Sequence, residues 1–407
     1  MIGKVQDILI NNNRFAFNEA SDSGAGIFIS FAESATITNN HFGSNESKAV
    51  GGGAYIFGNE ITVSNNSFNQ NTSNRSGGGL YAKAAWSPII VNISNNVFSY
   101  NVSDENGGGA YLSSPKLDIS NNEFYENTSG INGGGAYVVA GELNMSDNIF
   151  MGNSTLSESD LGGGGVGITN TNDNSTTTLT NNIFNSNQSA GNGGGLGFKS
   201  RSGFSDNLIT LTNNTYTMNT ADLNGGGISI NALQPPVVCP PDIFCPASII
   251  IMLLDIYNNI VFGNSAGDNG EDIFIFEEGY NISDLTLNLF NNDFSDLFSN
   301  QLIVVGNNID EDPLFVDAEA GDLSLLPDSP CIDAGDPNAP DVPDTDIFGN
   351  PRVPPPDMGA VEFIEEAIKG GGGCSIAHNP VTSSLAVFLA LPVLILIRRV
   401  VKRYRSW

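Results

Sequence analysis

Apolar and polar residues alternate along this chain in short stretches that end in a recurrent phrase. Ile61-Thr62-Val63-Ser64 runs into Asn65-Asn66-Ser67-Phe68, and Val91-Asn92-Ile93-Ser94 runs into Asn95-Asn96-Val97-Phe98. A period of two in residues rich in branched side chains predicts strands. The aromatic and the residue five before it are the inward positions, as in Val63 with Phe68, Ile93 with Phe98 and Leu211 with Tyr216. These positions have opposite parity, so the Asn-Asn pair must turn the chain between two strands. Asparagine tolerates the left-handed backbone region that such a corner needs. A polar arc follows, such as Asn69 to Ser73, then three glycines. A further short strand comes next: Ala54-Tyr55-Ile56, Leu80-Tyr81-Ala82, Ala110-Tyr111-Leu112 or Ala136-Tyr137-Val138.

The last glycines of successive units stand at 26, 53, 79, 109, 135, 165, 195 and 227, steps of 26 to 32 residues. One period holds two or three short strands and their turns. Such units predict an all-β parallel β-helix, each coil pairing with those above and below. At an inter-strand spacing of roughly 4.8 Å, about ten coils make a rod on the order of 50 Å long. Equivalent residues then sit above one another, so the Phe column fills the interior and the Asn column forms amide ladders. A β-propeller blade needs about 40 residues and four strands, more than one period supplies.

The Asn-Asn-x-Phe, polar arc and Gly-Gly-Gly-x-Tyr rhythm resembles right-handed parallel β-helix proteins of the bacterial surface. That superfamily includes pectate-lyase-like enzymes, polymorphic outer-membrane proteins and adhesins. The resemblance covers residues 1 to about 300 and implies fold far more than function. A different block follows: Asp312-Pro313-Leu314-Phe315-Val316-Asp317, Ser329-Pro330-Cys331-Ile332-Asp333-Ala334-Gly335-Asp336-Pro337 and Asp357-Met358-Gly359-Ala360-Val361-Glu362. It is similar to the choice-of-anchor Q domain found C-terminal to β-helix repeats. The expected divisions are β-helix repeats at 1–304, the anchor-Q-like region at 305–363, a Gly-rich linker at 364–380, and a membrane segment with a basic tail at 381–407. Asp344 and Asp346 have the oxygen chemistry that calcium takes, but no Glu at EF-hand spacing follows and no flanking helices are readable. The other reading of the same acids is a Pro/Asp-rich cap over the last coil, blocking edge-to-edge pairing.

The chain has 407 residues, with 15 Lys and Arg against 44 acids. Six of the 15 lie at or after Lys369, where there is no acid, which leaves nine against 44 and a charge of −35 on the body. Nucleic acid and anionic headgroups are therefore poor partners for that body. Cys239 and Cys245 bracket a Pro-rich loop that a disulfide would close in an oxidising compartment. The two histidines, His41 and His378, and the Cys spacings do not suit zinc.

Near the C-terminus, Gly370 to Gly373 precede Cys374, and an apolar run from Val381 to Val401 is followed by Lys402, Arg403 and Arg405. That length predicts one membrane span, with the basic tail inside and the β-helix outside. The arrangement resembles bacterial C-terminal sorting signals of the Gly-Cys type. The resemblance implies an intramembrane sorting protease acting near Gly372, Gly373 and Cys374, with Cys374 processed or lipid-bearing; a plain tail anchor is the alternative. Met1 to Asp7 has no apolar core and Asn12-Asn13-Arg14-Phe15 already reads as a coil, so a leader and N-terminal cap are expected upstream.

No acid pair or basic residue repeats in register as a glycosidase or lyase would require, and neither His stands near a Ser or Cys in a known motif. Tyr55, Tyr81, Tyr111 and Tyr137 recur two residues after the last glycine and are expected to face outward. They are either a stacking platform for sugar rings or a ladder that stabilises the sheet. The expected function is adhesion to, or recognition of, extracellular polysaccharide or neighbour-cell glycans by an exported, surface-anchored rod without catalysis. A polysaccharide lyase or glycoside hydrolase and a structural stalk are the rival readings.

Overall fold

The computed structural model describes residues 5–84, 90–170, 175–200, 207–233, 252–278, 285–301 and 303–365. Among them every regular element is a strand, and all the long-range pairing of the repeat is parallel. Three sheets of 17, ten and nine strands run the length of the coil. The protein is thus a parallel β-helix, and Met1–Ile364 forms one compact unit.

One coil shows how the sequence makes this shape. Ala54–Ser64 is a long strand, Ser67–Asn69 a middle strand and Thr72–Ser73 a short one. Asn65 and Gln70 make the two corners between them in the left-handed region, at φ 56° and 55°. The equivalent corner residue of each coil, from Asn12 through Asp147 to Asn307, does the same, at φ 53–58°. The glycines close the coil. Gly51 has φ +68°, and a Cβ on Gly52 would stand 2.3 Å from the carbonyl oxygen of Gly78 in the next coil.

Inside, the predicted aromatic column forms a continuous stack from Phe15 to Tyr216. Ring centroids are 4.6–5.1 Å apart and the planes lie within 12° of parallel. Val63, Ile93 and Leu211, with their aromatics Phe68, Phe98 and Tyr216, are fully buried.

Two asparagine ladders flank this stack. The second Asn of each pair is buried from Asn40 to Asn292, and Asn66 Nδ2 donates to Asn96 Oδ1 at 3.0 Å and to the carbonyl of Ile37 at 2.8 Å. A parallel ladder, absent from the sequence expectations, starts three residues after each aromatic. In it Asn71 Nδ2 donates to Asn101 Oδ1 at 2.9 Å and to the Phe42 carbonyl at 3.0 Å. Each amide satisfies a backbone group that the turn strips of its strand partner, which is why so many buried polar side chains are tolerated.

Length variation is concentrated at one place. Leu80–Ala84 and Ile90–Ser94 both pair with the single strand Ala54–Ser64, so the extra residues of that coil interrupt the long strand at its middle. The next coil returns to an uninterrupted Ala110–Ser120.

Past Asn307 the chain leaves the coil and turns back along its side. Phe315–Asp317 and Asp322–Leu325 form a small antiparallel pair. Leu323, Ala360 and Val361 cluster with Ile183, while Cys331, Leu325 and Met358 cluster with Ile260. The Pro/Asp-rich cap expected over the last coil therefore lies along the flank from Asp293 back to Ile149. Its apolar residues match isoleucines on the outer face of the middle sheet, whereas at the last rung Val305, paired with buried Leu289, stays 56% exposed.

Candidate functional site

The tyrosines stand where the sequence put them, on the outer face of the long sheet in register: Tyr81 pairs with Tyr55 and Tyr111, and Tyr111 with Tyr137. Tyr55, Tyr81 and Tyr111 are half-buried and Tyr137 is buried. Their rings stack on one another at 4.6 to 5.5 Å, and Phe28 extends the stack below Tyr55. Ring faces are thus turned to each other along the axis, and solvent meets their edges. Burial pushes the Tyr81 phenol well above its usual range.

Asp346 is buried, and its carboxylate is filled by N–H donors. Oδ1 accepts from the backbone of Phe348 and Asn350, and Oδ2 from Asn350 Nδ2 and the backbone of Glu362. Asp344 offers its backbone carbonyl to Arg352. No group of three or more His, Cys, Asp or Glu among the described residues has the arrangement to hold a metal ion. Cys239, Cys245, Gly372, Gly373, Cys374, His378 and the apolar run at 381–401 lie outside the described residues. Among the described residues no helix is long and apolar enough to cross a membrane.

The anchor-Q-like motifs instead build the contact with the flank. Arg352 is 3% exposed, with Nη1 on Glu362 Oε2 at 2.9 Å and Nη2 on Asn181 Oδ1 at 2.8 Å. Burial lowers the guanidinium pKa against the pull of Glu362 and Asp346. The corner asparagines read the backbone of the segment: Asn181 Nδ2 donates to the Thr345 carbonyl, Asn213 to Asp357, Asn258 to Asp336 and Asn291 to Ala334. At the far end the buried Cys331 thiol donates to Asp293 Oδ2 at 3.4 Å. Burial raises the Asp293 carboxyl to about 7 and the Asp357 carboxyl to about 6.

In the N-terminal half the same corner is bare. Asn39, Asn65, Asn95 and Asn121 are exposed, and the Asn65, Asn95 and Asn121 side chains have no hydrogen-bond partner among the described residues. Asn39, Asn65 and Asn95, with Asn12, Arg14, His41, Ser67 and Val97, line a trough of ≈ 670 Å³ open to solvent, and no acid is among its lining residues. Arg14 pairs with His41 in the next rung and makes no ion pair among the described residues. A Cβ on Gly43 would stand 2.8 Å from His41 Nε2, so this glycine leaves the imidazole room to lie over the sheet. Burial and the Arg14 charge lower the His41 pKa. The arrangement offers an exposed corner amide on each rung, those of Asn65 and Asn95 without a partner among the described residues, beside a guanidinium and an imidazole.

Sequence reasoning did not single out this trough. The signal lay in the x of Asn-Asn-x-Phe, which reads His41, Ser67, Val97 and Glu123 and then becomes Ile149 and Ile183.

Comparison with known proteins accords with this architecture. Residues 1–184 match the family model for the right handed beta helix region, and the repeat is a right-handed parallel β-helix. The chain is similar to that family over this stretch. No curated protein and no solved structure matches it.

Proposed function

We propose that this protein is a recognition rod that binds glycans along the bare stretch of its asparagine corner and performs no chemistry on them. The observation that carries the reading is the row of exposed side-chain amides at one position per rung in a trough open to solvent, with Asn65 and Asn95 unpartnered among the described residues. A primary amide presents donors and an acceptor side by side, which suits the neighbouring hydroxyls of a sugar ring. The lining side chains are Asn, Arg, His and Ser with one Val, whereas the half of the same flank that binds polypeptide is studded with isoleucine.

Binding of the full chain to a panel of immobilised glycans, with product release followed in parallel, tests this. The expected outcome is retention without release, reduced at least tenfold by the double substitution Asn65→Gly, Asn95→Gly. Glycine keeps the left-handed backbone at both corners, so folding is preserved. Release of reducing or unsaturated ends would instead identify an enzyme.

Display at the cell surface completes the proposal. The support is the resemblance of the segment around Cys374 to Gly-Cys sorting signals and the basic tail behind an apolar run. In this reading the anchor-Q-like segment joins rod to linker. Mass spectrometry of the mature protein should find the chain ending near Cys374, and an intact Trp407 would overturn processing.

A further inference from the structure

We propose that the ligand of the trough is a linear glycan bearing carboxylate or sulfate groups, laid parallel to the rod axis with an anionic group against Arg14 and His41. This deepens the glycan reading above and rests on it.

Three observations carry it. The body of the protein has a charge of −35, yet the trough lining contains no acid and holds one of its nine basic residues, Arg14, beside one of the chain's two histidines. In a surface otherwise repellent to anions, a local cation without an ion-pair partner among the described residues defines where a negative group settles. Next, the corner amides repeat along the axis at the inter-strand spacing of roughly 4.8 Å. That is close to the rise of one pyranose unit in an extended chain, so a strand lying along the axis meets one amide per sugar. A strand lying across the axis would meet only one rung.

The third observation sets polarity and length. Beyond Val97 the next rung places Glu123 at the equivalent position, and the corner beyond Asn121 is Asp147. Past them the docked segment occupies the flank, beginning with the apolar contacts of Ile149 and Ile183. The trough therefore has a cationic end at Arg14, with the His41 imidazole beside it, and is bounded beyond Val97 by Glu123 and then by the docked segment. An anionic strand is drawn to the cationic end and turned back at Glu123, which confines it to about four rungs.

The experiment is calorimetric titration of the full chain with three soluble linear probes: a polyuronate oligomer, a sulfated oligosaccharide and the carboxyl-reduced, neutral form of the first. Tighter binding of either charged probe than of the neutral one is expected, and which charged probe binds better distinguishes carboxylate from sulfate. Arg14→Gln with His41→Gln should cost the charged probe tenfold or more and the neutral one several-fold less. Asn95→Asp, which keeps size and adds a charge, should weaken the charged probe further still. Equal affinity for charged and neutral probes, or charged-probe affinity unmoved by these variants, would overturn the anionic assignment while leaving glycan binding standing. Failure of every glycan to bind would remove both.

Discussion

Along the bare half of the asparagine corner, the outward residues of the middle strands are Arg14, His41, Ser67, Val97 and Glu123; along the covered half they are Ile149, Ile183, Thr215, Ile260 and Asp293. The backbone is the same in both, with the same left-handed asparagine or aspartate and the same buried amide ladder beneath. The difference teaches that the coil itself does not decide what its surface binds. Full burial of an isoleucine is worth about 1.5–3 kcal/mol, so isoleucines at this position favour a permanent polypeptide cover. Polar residues at the same position gain nothing from such a cover and stay free for a hydrated partner. The corner asparagines serve both halves because an amide reads peptide carbonyls as readily as hydroxyls.

The contrast can be broken most severely at Arg352. Replacing it with Met strips the buried Glu362 carboxylate of its cation, and removal of one partner from a buried pair costs about 3–5 kcal/mol. The segment from Asn307 to Ile364 should then become cleavable by protease at native pH while the coil keeps its strands by circular dichroism. Unchanged protection would show that the apolar contacts alone hold it.

Next in size is a pH effect at Asp293, where burial raises the carboxyl to about 7. Its folded pKa exceeds the unfolded one, so its contribution is complete below about pH 4 and is lost as pH rises through 7. Integrated over that range the effect is roughly 4 kcal/mol. Protection factors of the amides near Cys331 and Glu311 should fall as pH rises from about 4 to 7 and level off above it, and Asp293→Asn should flatten that profile. A flat profile in the unsubstituted protein would contradict the buried, protonated carboxyl.

A matched pair of substitutions sharpens the comparison directly. Asn213→Gly loses the bonds to Asp357 and Gly359 and should cost about 1–2 kcal/mol in denaturant titration. Asn65→Gly removes an amide without a partner and should cost less than about 0.5 kcal/mol. Equal costs would mean that the bare corner is not free. Tyr81→Leu breaks a stacked ladder worth about 0.5–1.5 kcal/mol and should leave glycan affinity unchanged. Loss of binding there would move the site to the tyrosine edges.

The columns that repeat by type were readable from sequence: Phe68 in the core, Asn65 at the corner, Gly51 at the left-handed bend. Each is dictated by a local demand, whether burial, backbone angle or close approach, that one residue type meets best. The ladder through Asn71 and Asn101 escaped because an asparagine within a polar arc looks like solvated loop; only stacking reveals that it is buried. The terminal segment was recognisable as distinct, but its path was not. Whether Asp346 meets a cation, solvent or four N–H groups depends on where the chain returns, and a linear motif does not encode that return. The bare trough was hidden for the opposite reason. Its signal is the failure of a position to repeat, the change from His41 and Ser67 to Ile149 and Ile183.

The second ladder also has a head and a tail. Every amide in it donates toward the C-terminal end, from Asn18 to Asn45 and onward to Asn219 and Asn264. Asn264 donates not to another asparagine but to Asp272 Oδ1 at 3.0 Å, from later in the same coil, while Asp272 Oδ2 takes the Ser295 backbone and hydroxyl. A carboxylate accepts and has no proton to pass on. Asp272 is therefore a chain terminator in the polymer sense. A coil duplicated before Asn264 finds a donor below and an acceptor above, whereas one added after Asp272 has no amide to join. Where this second ladder stops is thus written into the hydrogen-bond polarity of its side chains, while the first ladder runs on to Asn308.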